Sequence, residues 1–79
     1  SDPAVKRKYA DLSFDMGQYS MRILELYFAL VQEDPDNRAH YYERISRIYS
    51  STGNEKEAGR FLAFAKGAMQ NSQGQGLED

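Results

Sequence analysis

Cysteine is absent from this 79-residue chain. That excludes disulfides, thiol catalysis and zinc–thiolate sites, and it leaves the redox compartment unreadable. Long apolar runs are absent too. The longest, Leu26 to Val31, is six residues, against about 20 for a membrane span, so no membrane insertion is expected. Neither sign of charge dominates: ten basic and twelve acidic residues leave −2, with a pI near 5.3. A nucleic-acid domain usually carries a clear basic excess, so none of that class is expected. Arg44 and Arg47 with Tyr41 and Tyr49, and Lys6-Arg7-Lys8 before Tyr9, interleave basic and aromatic residues. The acidic pI favours reading them as solvated helix faces.

Chemistry-bearing motifs are equally scarce. His40 is the one histidine, and no nucleophile-elbow glycine motif accompanies any serine. Asp34-x-Asp36 opens like a calcium-binding loop, but Arg38 stands at the third ligand position and Ala39 where glycine is required. No glycine-rich phosphate loop occurs. The expectation is a chain without catalysis, cofactor or metal.

What is present is helical periodicity. Two prolines and six glycines punctuate the chain, with breaks at Gly17, at Asp34-Pro35-Asp36-Asn37 and at Thr52-Gly53-Asn54. Between them lie four segments with apolar residues at three- and four-residue spacing and no strand-like alternation. Asp2-Pro3 is an N-cap followed by proline in the first turn, so a first helix should run from Pro3 to Met16. Tyr9, Leu12 and Met16 form one stripe on it, with Val5 a turn earlier. A second should span Tyr19 to Gln32, apolar nearly all round, as expected of a helix covered on two sides. A third should start near Asp36 and stop at Gly53, in the glycine position of a C-terminal cap. The fourth should start at Asn54 and end near Gln70. Short turns between four helices require antiparallel neighbours. Residues 1–3 read as a leader or excision remnant, 4–34 and 35–70 as two helical hairpins, and 71–79 as a loose polar tail.

The two hairpins echo each other. Gly17-Gln18-Tyr19 recurs loosely as Gly53-Asn54-Glu55, and Ala29 and Ala65 share that separation of 36 residues. The second half carries Tyr42-x2-Ile45-Ser46-x2-Tyr49, then Gly53, then Ala58-x3-Leu62, then Ala65. This resembles the tetratricopeptide repeat (TPR) family. Small residues at Ser46, Ala58 and Ala65 would let paired helices approach, with Tyr42, Ile45, Tyr49 and Leu62 filling the space around them. The first half is degenerate. Lys6, Tyr9, Ala10 and Ser13 stand in that frame, and a one-residue shift is needed to recruit Phe14, Ile23, Tyr27 and Pro35. Either one extra residue lies in the second helix, or the turn differs.

The resemblance implies an all-α fold, a TPR-like stack of two antiparallel hairpins, and a role as an adaptor or scaffold that binds a peptide or helix of a partner protein. It implies a concave groove lined by Arg7, Asp11, Phe14, His40, Glu43 and Arg47. One branch of the family clamps a C-terminal carboxylate with Lys and Asn. Arg7 could replace one Lys, but Asp11 and Arg44 stand where Asn is needed, so that role is not expected. The fourth helix suggests a competing use. Gly59, Ala63 and Gly67 form a smooth strip, and Phe61, Phe64 and Met69 read as exposed apolar surface, a candidate homodimer contact. Self-assembly of a larger protein through this helix is thus the alternative function. No targeting segment is recognisable, which tilts the expected location to the cytoplasm, although a start at Ser-Asp-Pro without Met reads as an excised piece.

Overall fold

The computed structural model describes residues 2–77, with side chains through residue 70. Asp2 begins the fold. Its carboxylate accepts the N–H of Ala4 at 3.0 Å, and Pro3 fills the first helical position, where no N–H is needed. Helix α1 follows, Pro3–Asp15. It stops at Gly17, whose φ of +79° only glycine adopts without strain. The N–H of Gln18 bonds the carbonyl of Ser13 and that of Gly17 bonds Phe14, both at 2.9 Å. These two bonds define a Schellman C-cap.

Helix α2, Met21–Glu33, begins two residues later than expected, because Ser20 supplies the cap: its Oγ accepts the N–H of Ile23 at 3.3 Å. Asp34 and a 3-10 turn, Pro35–Asn37, lead into α3, Arg38–Ser51. The Asp34 carboxylate holds this linker, accepting from the Tyr41 hydroxyl and from Asn37 Nδ2. Helix α3 ends as α1 does. Gly53 has φ +81°, Asn54 N–H bonds Tyr49 at 2.9 Å and Gly53 N–H bonds Ser50 at 3.1 Å. Helix α4, Glu55–Leu77, is the longest. The loose tail expected over 71–79 therefore starts inside this helix. The side chains of 71–77, and residues 78–79 entirely, lie outside the described residues.

The same glycine cap thus recurs 36 residues apart, but the turns after it differ. Gln18, Tyr19 and Ser20 separate Gly17 from α2, whereas Asn54 alone separates Gly53 from α4. The two extra residues shift the register of the second helix. Buried Leu24 and Tyr27 of α2 match buried Ala58 and Phe61 of α4 at a spacing of 34, not 36. Of the two explanations for the frame mismatch, a differing turn is present, but it differs by two residues and not by the one of the sequence frame.

All described structure is helical. Consecutive helices pack in pairs, α1 on α2, α2 on α3 and α3 on α4, so the chain forms antiparallel hairpins built around one core. Tyr27, Tyr41, Leu30 and Ile45 are fully buried at its centre. Phe61 completes it, with Phe28, Tyr42, Tyr49 and Phe64 rings at 5.4–6.1 Å. Ser46, buried between α3 and α4, donates to the carbonyl of Ala58 at 2.6 Å. That bond lets the two backbones approach without a desolvated hydroxyl. Among the described residues no helix is long and apolar enough to cross a membrane.

Candidate functional surfaces

The faces of α1 and α3 that carry the expected groove residues lie side by side, and a hydrogen-bonded cluster joins them. Asp11 on α1 is its hub. Tyr27 Oη, on a wholly buried residue, donates to Asp11 Oδ1 at 2.6 Å. His40 Nε2 sits 3.0 and 3.1 Å from the two carboxylate oxygens, and Arg7 Nε lies at 3.8 Å. Burial acts first on Asp11 and pushes its pKa up. The hydrogen bonds from Tyr27 and His40, with the charges of His40 and Arg44, outweigh that and leave it below the ordinary value. The same contact works in reverse on Tyr27. Burial, then the bond to the Asp11 carboxylate, drives its hydroxyl far above the usual tyrosine range. Tyr41 is raised likewise by burial and by its bond to Asp34. Asp34 is held low by the bonds from Tyr41 and Asn37.

A second cross-hairpin link lies beside the first. Arg44 Nη1 pairs with Asp15 Oδ1 at 3.2 Å while its guanidinium covers the Phe14 ring, 4.1 Å from the centroid. Sequence reasoning passed over this pair. The partners are 29 residues apart, and no local spacing signals such a contact.

Of the six residues assigned to the groove, Arg7, Asp11 and His40 come together, and Glu43 and Arg47 pair with each other one turn along α3. Asp11 and His40 are thereby engaged inside the molecule. Phe14 does not line an open surface: it is 7% exposed, with Arg44 over it.

On α4 the outcome is mixed. Phe64 and Met69 are exposed, and a Cβ added at Gly59 or Gly67 would meet nothing within 4 Å, so that strip is open. Ala63 is exposed with them. Phe61 is not part of that surface. It belongs to the core, 9% exposed, because Ala58, Phe61, Ala65 and Ala68 form the buried face of the helix. Leu62, expected to fill the space between the paired helices, is 41% exposed, and Phe61 fills that space in its place. Ser46, Ala58 and Ala65, the small residues of the motif, are buried as it suggested, so the departure is confined to the large residue beside them.

The larger surprise is on α1. Its apolar stripe of Val5, Tyr9, Leu12 and Met16 faces solvent, while Ala10, Ser13 and Phe14 face the core. Helical spacing marked the stripe correctly but carried no information on which side of the helix was covered.

The molecule is an all-α protein of two antiparallel helical hairpins. Nothing matches the chain in comparisons with protein-family models, with curated proteins or with solved structures.

Proposed function

We propose that the chain is a non-enzymatic protein–protein interaction module of TPR-like hairpins, acting as an adaptor or scaffold. The observation that carries this reading is the amount of apolar surface left open. Among the described residues, nine large apolar side chains, including Val5, Leu12, Met16, Met21 and Phe64, are 39–69% exposed. Contiguous exposed apolar surface on a small domain marks an interaction site. It also bears on stability, since a single core under about 80 residues rarely supplies more than about 3–5 kcal/mol.

The test is affinity capture with the wild-type chain beside a variant carrying Leu12→Asp and Phe64→Asp, both at exposed positions, with helicity checked by circular dichroism. Selective loss of the captured proteins from the folded variant supports the reading, and an identical catch from both chains sinks it. A second reading, self-assembly through α4, has its own support in exposed Phe64 and Met69 beside the open strip of Gly59, Ala63 and Gly67. Sedimentation separates the two: an assembly module loses its dimer with Phe64→Asp, and an adaptor keeps the same mass.

A further inference from the structure

The internal repeat supplies a reference for the open stripe on α1. At the spacing of 36 that relates Gly17 to Gly53, Val5, Tyr9 and Leu12 correspond to Tyr41, Ile45 and Ile48. The first three are 66%, 47% and 58% exposed; the second three are 0%, 0% and 2% exposed. Both sets run along the outer side of the first helix of a hairpin. The difference between them is α2, which lies against α3 and brings Tyr27 to 6.1 Å from Tyr41, centroid to centroid, and Leu24 beside Ile48. The cover that α1 lacks is therefore a helix with large apolar residues on one face.

Charge narrows the occupant further. Lys8 corresponds to Arg44, which pairs with Asp15 at 3.2 Å. Among the described residues, Lys8 and Arg22 make no ion pair. Arg22 rims a groove of about 320 Å³ floored by Val5, Tyr9 and Leu26. Lys6, on the same rim, is already held by Glu33 at 2.8 Å, and the Asp2 carboxylate caps the helix. On the other side of the stripe Lys8 and Leu12 lie beside Asp11, Asp15 and Asp34, which are held by His40, by Arg44 and by Tyr41 with Asn37, so the charge left without a partner there is that of Lys8.

A second copy offers little to match it. The groove between α3 and α4 has Leu62 as its single large apolar side chain. There Arg47 stands at the position equivalent to Asp11, and Ser51 at the position equivalent to Asp15. Its carboxylates, Glu43 and Glu55, are held by Arg47 and by the Ser50 hydroxyl, so a copy docked on it would set one large apolar side chain against a stripe of four. On α4, exposed Phe64 and Met69 lie nearest Lys66 in the chain, while Glu57 pairs with Arg60 and Glu55 accepts from Ser50.

We infer that the α1 stripe docks an amphipathic helix of a partner protein, seated on α1 as α2 is seated on α3, with acidic residues flanking its apolar face to meet Lys8 and Arg22. This rests on the interaction-module reading and adds the site and the chemistry of the partner.

The experiment titrates the 79-residue chain into a fluorescein-labelled designed helix with Leu at i, i+4, i+7 and i+11. One version of the helix has Glu flanks and the other Lys flanks. The expected result is binding of the Glu version, weakened about tenfold or more with Lys flanks or with Lys8→Glu in the chain. Binding should be lost with Leu12→Asp and kept with Phe64→Asp. Equal affinity for both flanks, or no binding of either, overturns the proposal. So does binding that survives Leu12→Asp but not Arg47→Glu, though that result keeps the module reading and moves it to the inner face. Two further outcomes also overturn it by giving the stripe another occupant. One is a concentration-dependent dimer abolished by Leu12→Asp. The other is Leu12-dependent binding to phosphatidylserine vesicles without binding to the Glu helix. No peptide binding, no dimer and no capture of any protein would sink both readings together.

Discussion

Helices α1 and α3 hold the same place in successive hairpins, end in the same glycine cap and carry apolar stripes in the same register. One stripe is covered and the other is not. The difference lies in the neighbour and not in the helix's own residues: α2 packs over Tyr41, Ile45 and Ile48, and no described helix covers Val5, Tyr9 and Leu12. Apolar residues at a given spacing state that a face is made for burial; the neighbour decides whether it is buried. A small helical protein can thus leave open an apolar face indistinguishable in sequence from core.

The sharpest way to break this comparison is to truncate matched residues. Ile45→Ala should cost about 2–5 kcal/mol in urea unfolding, the price of a cavity in a sealed core. Tyr9→Ala, its counterpart, should stay within about 0.5 kcal/mol. Comparable losses at both sites would mean that α1 is covered in the isolated chain.

Next in size is the alkaline limb. An unfolded tyrosine ionises near pH 10, whereas Tyr27 and Tyr41 ionise well above that in the fold. Their contribution is complete below pH 10 and is lost as pH rises beyond it, by about 1.4 kcal/mol per pH unit for each residue. Thermal melts between pH 9 and 11 should show the decline, and Tyr41→Phe should halve its slope. Asp11 and Asp34 act in the opposite direction. Both titrate below the ordinary value of 3.8 in the fold. The stability they supply is present above that pH and lost as pH falls through their lowered values. Asp11→Asn should flatten the acid limb of the same series.

The two turns sharpen the comparison rather than break it. Gly17→Ala and Gly53→Ala each force a Cβ into the left-handed region, at about 1–2 kcal/mol apiece. Nearly equal losses by urea unfolding would confirm that the caps are equivalent although the loops after them are not. Among the buried sites the smallest expected loss is at Ser46→Ala, about 1 kcal/mol, because the carbonyl of Ala58 that it serves is already part of a helix.

Much of the fold was legible in the residues. Asp2-Pro3, Gly17, Pro35 and Gly53 act through local backbone chemistry, so the helix ends beside them could be placed within a few residues, whereas α4, with no such signal after it, was expected to end near Gln70 and runs to Leu77. The partition of faces was not legible. Phe61 and Leu62 are adjacent, similar in polarity and 100° apart on the helix, and only the contact with Phe28 and Tyr49 decides that Phe61 turns inward. Asp11, Tyr27 and His40 were equally hidden as a group. They come from three helices, and their meeting depends on the angle at which the hairpins pack. The small expected groove changed accordingly, since its central acid and histidine proved to be holding the hairpins together.

The single residue between Gly53 and α4, against three between Gly17 and α2, also bears on the order of events in folding. The shorter connection confines its two helices sooner and at lower entropy cost, and closing such a loop takes well under a microsecond. The α3–α4 hairpin should be the nucleus onto which α2 and then α1 condense. Substitutions at Ile45 and Phe61 should slow folding, whereas those at Ala10 and Leu30 should mainly hasten unfolding. Stopped-flow kinetics with the reverse pattern would place the nucleus in the first hairpin. On this order α1 arrives last and leaves first, so the helix that bears the open stripe is also the one whose attachment a bound partner would strengthen most.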